Sequence, residues 1–389
     1  MPSIPDFDHA IIGFGLAGAT LECELTKRGD RVLVLDRVES GTSSKIAAGL
    51  LTPITGKRFA TTPHWRELWP QAERFYRNIE AEADCRFLHT DGAIRVFADE
   101  DECTRFEARR HTVADLVADA GPIPSSLNAP LGGFQMNSAR LDVAAFLESR
   151  RKVLADRFQV ADVSPQAVQV ANGVVELPTG QTSKRVTFCC GFDARPNPWF
   201  PQVGFEAAKG EMLLVKIPQF AERRTIHAHG VWLAPTGTGS FRTGATYEWD
   251  ALDSVATPAA ADWLRARLSR FLTVEFTVTD HVAAVRPIVE GRQPVVGVNG
   301  AHPAVGYING LGSKGSLLGP EVANQFAQHI HAGRPIDAEY CLENGLVKLR
   351  GVSSSVRRAF IAEQGFQRKT GLPRMFRKPR LLANRVLLC

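Results

Sequence analysis

Apolar positions at the start of the chain fall into short continuous runs separated by helical spacings. Ala10-Ile11-Ile12 is apolar without a break and stops at Gly13, the pattern of a central parallel strand buried on both faces. Leu21 and Leu25 lie four residues apart, on one face of a helix expected to stop near Gly29. Arg31-Val32-Leu33-Val34-Leu35-Asp36 then reads as a second buried strand ending in a carboxylate. Residues 137–158 have helical spacing, with Leu141, Ala144, Ala145, Leu147 and Ser149 around the packed face. Two strands are predicted after it, around Val160 and Val168. Residues 225–246 and 272–285 contain short β-rich runs, and 259–271 reads as a helix. No internal repeat or long low-complexity linker is visible.

Glycines punctuate this pattern at two distant places. Gly13-Phe14-Gly15-Leu16-Ala17-Gly18 sits where the first strand turns into the first helix. In such a turn Gly13 permits the tight bend, Gly15 lets the backbone approach a pyrophosphate, and Gly18 lets helix and strand pack closely. The helix N-terminus adds a positive dipole end for the diphosphate. Asp36 follows Gly18 by eighteen residues, near the distance at which an acid binds ribose hydroxyls. Strand, glycines, helix and acid in register predict dinucleotide binding, without choosing between NAD and FAD. The second segment, Gly310-Leu311-Gly312-Ser313-Lys314-Gly315, precedes another predicted helix and brings more backbone N–H groups.

Composition narrows the class. At 389 residues and 44% hydrophobic, the chain can bury a large core and is long enough for two or three domains. No stretch approaches the roughly 18 consecutive apolar residues of a membrane span. Asp6, Asp8 and His9 run straight into the first strand, so no secretory leader is expected and the compartment reads as cytoplasmic. Seven cysteines, Cys23, Cys85, Cys103, Cys189, Cys190, Cys341 and Cys389, show no CxxC spacing, which argues against a disulfide framework and against a metal site. The formal charge of +5 is uneven: 343–389 carries eleven Lys/Arg against two Glu, leaving the rest at −4. Such a tail suits nucleic acid, anionic lipid or an acidic partner face. Leu346, Val356, Phe360 and Ile361 favour instead a tail packed through its own helical spacing.

Several further segments resemble the D-amino-acid oxidase, glycine oxidase and sarcosine oxidase superfamily of FAD-dependent oxidoreductases. Gly41-Thr42-Ser43-Ser44-Lys45-Ile46-Ala47-Ala48-Gly49-Leu50 resembles the stretch that passes over diphosphate and flavin there. Thr187-Phe188-Cys189-Cys190-Gly191 resembles the strand ending in a small residue and glycine beside the cofactor. Lys209-Gly210-Glu211-Met212-Leu213, Gly244-Ala245-Thr246-Tyr247-Glu248 and Arg286-Pro287 with Gln293-Pro294 and Gly297 resemble further family segments, in family order. The matches span about residues 8–332. Within the superfamily, 46–58 resembles a poorly characterised bacterial branch.

The resemblance implies an α/β fold: a Rossmann-like FAD-binding domain assembled from discontinuous segments, plus an antiparallel α+β substrate domain. The expected segments are 1–85, 137–205 and 282–335 for FAD, 86–136 and 206–281 for substrate, and 336–389 as a basic extension. The cofactor-binding residues it implies are Gly13, Gly15, Gly18, Asp36, Arg37, Ser43, Ser44, Ala48, Gly49, Leu50, Val163, Cys190, Gly191, Gly310, Gly312, Ser313, Lys314 and Gly315. FAD is expected to be noncovalent, because no cysteine lies between Cys190 and Cys341, where sarcosine oxidases attach it. Cys189 and Cys190 read as inert small hydrophobes.

The implied reaction is oxidation of the C–N bond of an amino acid or secondary amine by hydride transfer to flavin, with oxygen or a quinone as acceptor. Arg286 stands where the family binds the substrate carboxylate, and an Arg fork matches a carboxylate bidentately. The alternative is an Arg holding its loop through carbonyls or Asp280. Trp232 stands where the glycine-oxidase branch usually has a tyrosine, keeping an apolar wall and one N–H. Lys314 offers a second cation to an acidic substrate or to the flavin edge. His227, His229, Tyr247 and Tyr307 are pocket, core or surface residues, and Trp65, Arg66 and Trp69 belong to a covering helix or to packing. Lys57 and Arg58 approach the flavin, meet an acidic substrate or face solvent. Two other functions stay open: a flavin oxidase acting on a modified tRNA base, motivated by the basic tail, and a non-catalytic FAD-containing protein.

Overall fold

The computed structural model describes residues 4–193 and 196–342. The basic segment 343–389, with the helical packing expected at Leu346, Val356, Phe360 and Ile361, lies outside the described residues.

The first apolar run forms the strand Phe7–Ile12, which lies between Val32–Asp36 and Thr182–Phe188, parallel to both. Ala10 pairs with Leu33 on one side and Val186 on the other, so its apolar side chains are covered on both faces. Phe158–Val160 extends the sheet beyond Val32–Asp36, and Val305–Asn309 joins Thr182–Phe188 in parallel. Antiparallel strands Gln169–Ala171, Val174–Glu176 and Val295–Val298 finish it. The helices Leu16–Lys27 and Gly315–Ala332 pack side by side, burying Leu21 and Leu25 with Val322 and Phe326.

The helix expected over 137–158 is shorter. Ala139–Leu141 is a strand paired with Leu50–Leu51, and the helix runs Val143–Leu154. Asp142 causes the break: its backbone is extended, and its carboxylate accepts the Ala145 N–H as an N-cap. The buried face is therefore Val143, Phe146, Leu147, Arg150 and Leu154, while Ala144 and Ala145 are exposed.

The second sheet orders its strands Thr277–Arg286, Ala208–Lys216, Ser240–Gly244, Val231–Gly237, Thr225–Ala228, Ala93–Val96, Gly133–Met136 and Val117–Asp119. Its pairs are antiparallel except one: Thr225–Ala228 runs parallel to Ala93–Val96. The helix Pro258–Phe271 packs Leu264, Leu268 and Phe271 on this sheet. The expected segment boundary at 282 falls inside Thr277–Arg286, which carries Arg286 to the end of the sheet's edge strand.

His9 gives the first sheet a pH dependence. Its Nε2 lies 2.7 Å from Thr187 Oγ1, and burial, with Arg185 and His331 nearby, pushes its pKa down to about 3. The unfolded chain binds this proton near pH ~6.5, whereas the folded chain does not until about pH 3. This contribution is therefore complete above the unfolded value and is lost as pH falls, at up to ~1.4 kcal/mol per pH unit. Urea midpoints measured from pH 7 to 4 are expected to fall less steeply in His9→Gln than in the parent.

Candidate active site

The strands Phe7–Ile12, Thr182–Phe188 and Val305–Asn309 run parallel and deliver their C-terminal ends to one crevice, the usual position for a ligand of such a sheet. A cavity of about 1960 Å³ opens there and continues across the second sheet. Its wall holds the turn after the first strand, 39–52, Cys189 to Asp193, and the turn 309–317. Facing them are Gly210, Met212, Trp232, Ala245, Tyr247 and Ala284 to Pro287.

Two close approaches shape the turn after the first strand. Gly13 has φ +97°, and a Cβ there would lie 2.7 Å from the Cys189 carbonyl oxygen. At Gly18 a Cβ would lie 2.0 Å from the Gly13 oxygen. Gly18 does not line the cavity: it lets the helix sit on the turn, while Gly13 and Gly15 form the wall. The helices Leu16–Lys27 and Gly315–Ala332 both begin at this wall, and neither N-cap, Gly15 or Lys314, supplies a side-chain cap. Two positive helix ends thus meet one space, an arrangement that suits a diphosphate and an electron-rich ring edge.

The other cofactor candidates surround these ends. Arg37, Ser43, Ala48, Gly49, Leu50, Val163, Gly191, Gly310, Gly312, Ser313 and Gly315 line the cavity. Ser44 also lines it and accepts the Leu16 N–H through Oγ at 3.1 Å. Asp36 accepts the Phe14 N–H at 2.6 Å and the Val38 N–H at 2.7 Å, one on each carboxylate oxygen. Each oxygen keeps a second lone pair for a ribose hydroxyl. Arg37 is tied to Asp193 at 3.0 Å, Glu39 at 3.3 Å and Asp162 at 3.9 Å. Cys190 donates its thiol to the Ile12 carbonyl at 3.2 Å, and burial pushes its pKa up to about 12. Burial likewise raises the Cys189 thiol well above its ordinary value, so neither is a thiolate at neutral pH.

On the opposite wall, the Arg286 guanidinium lies against the Gly210 backbone, 4.0 Å from the centre of the Tyr247 ring. Both terminal nitrogens donate to the Thr246 carbonyl at 3.2 Å. Among the described residues no carboxylate comes within 4 Å of it, and Asp280 accepts the His281 N–H instead. Tyr247 meets Ser313 Oγ at 3.2 Å, joining this wall to the late glycine turn. Lys314 is half-buried at that turn, and burial holds its ammonium below the ordinary lysine range. Trp232 completes the wall, paired across the sheet with Gly244.

Gly210 sets where Arg286 can stand. A Cβ at this position would lie 2.1 Å from Arg286 Nη2, and the flexible guanidinium is the group that must move. Gly210→Ala is expected to fold and keep its cofactor while losing on the order of 10²-fold in kcat/KM, the scale of a misplacement of about 1 Å. Flavin absorbance and steady-state rates on the same preparation check both halves.

Tyr247, open between pocket, core and surface in the sequence, lines the cavity and stacks under Arg286. Residue patterns alone missed two groups at this site. Asn309 donates from Nδ2 to the Gly191 carbonyl at 2.7 Å, holding two cofactor turns together; its place directly before Gly310 was the available signal. Arg242 Nη1 donates to the carbonyls of Lys45, Ile46 and Ala47 at 3.0–3.2 Å and fixes the 41–50 segment. His227 and His229 line the cavity, as do Lys57 and Arg58, and His227 pairs across the sheet with Arg95. Tyr307 is instead buried against Phe200. Trp65 stacks on Trp69 in the core, and Arg66 binds Asp115.

A dinucleotide crevice facing a second, mostly antiparallel sheet defines a two-sheet oxidoreductase fold. The profile of the FAD dependent oxidoreductase family, DAO, matches residues 8–329, and the chain belongs to that family. It is an FAD-dependent enzyme, and the glycine turns, the two helix N-termini and Asp36 fit that cofactor. In sequence the chain is 24% identical to the uncharacterised oxidoreductase YurR of Bacillus subtilis, over 82% of this chain and 94% of that protein. It is 26% identical to the tRNA 5-methylaminomethyl-2-thiouridine biosynthesis bifunctional protein MnmC of Caulobacter, over 83% of this chain but only 54% of that protein. Glycine oxidase from Bacillus cereus superposes with a TM-score of 0.73 at 18% identity, covering 85% of this chain and 96% of that one. L-proline dehydrogenase from P. horikoshii gives 0.73 at 15% identity, covering 90% and 99%. No helix among the described residues is long and apolar enough to cross a membrane.

Proposed function

We propose that this enzyme oxidises the C–N bond of a small amino acid or secondary amine that carries a carboxylate. One observation carries the reading: Arg286 is half-buried, faces the cavity opposite the cofactor turns, and has no carboxylate of its own among the described residues. A planar cation held this way is a ready partner for a substrate carboxylate. When bound, noncovalent FAD supplies the hydride acceptor, with oxygen or a quinone taking its electrons afterwards.

The remaining work is placement. Arg286 anchors the carboxylate, while the Thr246 carbonyl and the Tyr247 ring hold the guanidinium in one orientation. Trp232 forms an apolar wall that limits the substrate side chain and excludes water. Lys314, at the head of the late helix, supplies positive charge to the cofactor side of the same space. The test is anaerobic addition of a panel of amino and N-methylamino acids to the purified holoenzyme. Bleaching of the flavin spectrum by a carboxylate-bearing amine, and not by its decarboxylated analogue, is the expected result. Equal bleaching by both would remove Arg286 from the substrate site.

A further inference from the structure

The cavity does not stop at Trp232. It continues along the second sheet into an arm walled by the 56–58 turn, the strand Ala93–Val96, the start of the helix Glu100–Arg110, the turn at 227–230 and the helix Pro258–Phe271. Its lining carries six basic side chains, Lys57, Arg58, Arg95, Arg105, Arg267 and Arg270, against two carboxylates, Asp99 and Glu102. Glu102 is already neutralised, because it pairs with Arg95 and accepts the Ala98 N–H at 2.8 Å. Arg105 reaches Asp99 only at 3.7 Å and Asp101 at 3.9 Å. Arg267 and Arg270 have no carboxylate partner among the described residues.

The arm is built rather than merely charged. Arg267 donates from Nη1 to the His229 carbonyl at 2.8 Å and lies 4.7 Å from the centre of the Trp263 ring, so its fork is held in place. Two further polar atoms in the lining are enclosed and have no partner among the described residues: Arg105 Nε and His227 Nε2. His227 opens onto the cavity while its Nε2 is enclosed, and burial together with Arg95 keeps its ring neutral at physiological pH, with one N–H to give. An enclosed guanidinium N–H without an acceptor, an imidazole with one N–H to place and guanidinium groups without carboxylates share one unmet need, an anion rich in acceptor oxygens.

We propose that this arm binds a phosphate-type dianion carried at the far end of the amine substrate, with Arg267, Arg270, Arg105 and His227 as its donors. The inference rests on the C–N oxidation reading for the reacting end, which Arg286 holds. A substrate of this class has a carboxylate near the reacting carbon and a phosphate beyond Trp232. It would come from a reaction that joins an amine to a phosphorylated carbon skeleton.

Inorganic pyrophosphate is the probe, titrated into the holoenzyme while tryptophan fluorescence and flavin absorbance are followed, since Trp263 lies directly under Arg267. Saturable quenching is expected, weakened by about 10- to 100-fold in Arg267→Gln, the value of one lost hydrogen bond between charged groups. Arg267→Lys, which keeps the charge but loses the fork, is expected to fall between them. Among amines that reduce the flavin, KM should rise more in Arg267→Gln for a phosphorylated compound than for its unphosphorylated analogue. Pyrophosphate binding that is absent, or equal in parent and Arg267→Gln, overturns the proposal. So does Arg267-dependent binding of a short RNA without any pyrophosphate response, which would make the arm a nucleic-acid surface. Pyrophosphate bound through Arg267, with no amine reducing the flavin, would sustain the anion site and sink the C–N oxidation reading instead.

Discussion

Arg286→Met is expected to lower kcat/KM for a carboxylate-bearing amine by on the order of 10³-fold, with FAD still bound. The magnitude follows from two charge-assisted hydrogen bonds worth about 1.5–3 kcal/mol each, at 1.4 kcal/mol per factor of ten. Cofactor retention follows from position. Arg286 touches the Gly210 backbone on the second sheet and Thr246 and Tyr247 just past its strand Ser240–Gly244, and none of the first-strand turn. Arg286→Lys should recover little, because a point charge cannot reproduce the two-pronged contact. Stopped-flow reduction under anaerobic conditions isolates the step. If Arg286→Met reduces its flavin at the parent rate, the carboxylate is held elsewhere, with Lys314 the next cation to replace.

The second large effect concerns stability. Arg150→Ala is expected to destabilise the protein by about 3–5 kcal/mol, the cost of leaving one charge of a buried pair uncompensated. Arg150 Nε and Nη2 donate to the two Glu22 carboxylate oxygens at 2.9 and 3.0 Å, with side chains 6% and 0% exposed. Glu22 lies on the helix that starts at the cofactor turn, and Arg150 on Val143–Leu154, so the pair clamps that helix from behind. Loss of the clamp should lower the urea midpoint for release of bound flavin. The double variant Glu22→Met with Arg150→Met, which buries no charge, should recover most of the loss. An unchanged midpoint in Arg150→Ala would mean that the carboxylate is solvated or protonated at no cost.

Much of the cofactor half was legible in the chain. The run ending at Gly13, the spacing of Leu21 and Leu25 and the run ending at Asp36 correspond to strand, helix and strand in parallel register. Such features read well because they are local: backbone period and glycine geometry act over a few residues. The helix over 137–158 was overestimated for an equally local reason. Asp142 scores as one polar position in a periodic pattern, but its side chain competes for the backbone and starts a new element. Glu22 was hidden by its own type, since a glutamate on a helix reads as a solvent-facing residue until its partner 128 residues away is known.

The sequence by itself determined a dinucleotide crevice and the order of the segments that build it, and its family resemblance supplied FAD and the expectation that Arg286 meets the substrate. The crevice is set by glycine turns, strand lengths and motif order, each a property of a short stretch of chain. Tertiary structure alone decided what that arginine lacks and what holds it. Tyr247 lies 39 residues before Arg286, and Gly210 lies 76 before it; only the pairing of Ala208–Lys216 with Thr277–Arg286 on one side and Ser240–Gly244 on the other brings them together. The basic arm has the same origin. Arg105, His227 and Arg267 come from three separate elements, and their missing partners appear only once the fold has enclosed them. Whether a charge is free or neutralised depends on contacts between distant segments, and no local period along the chain records them.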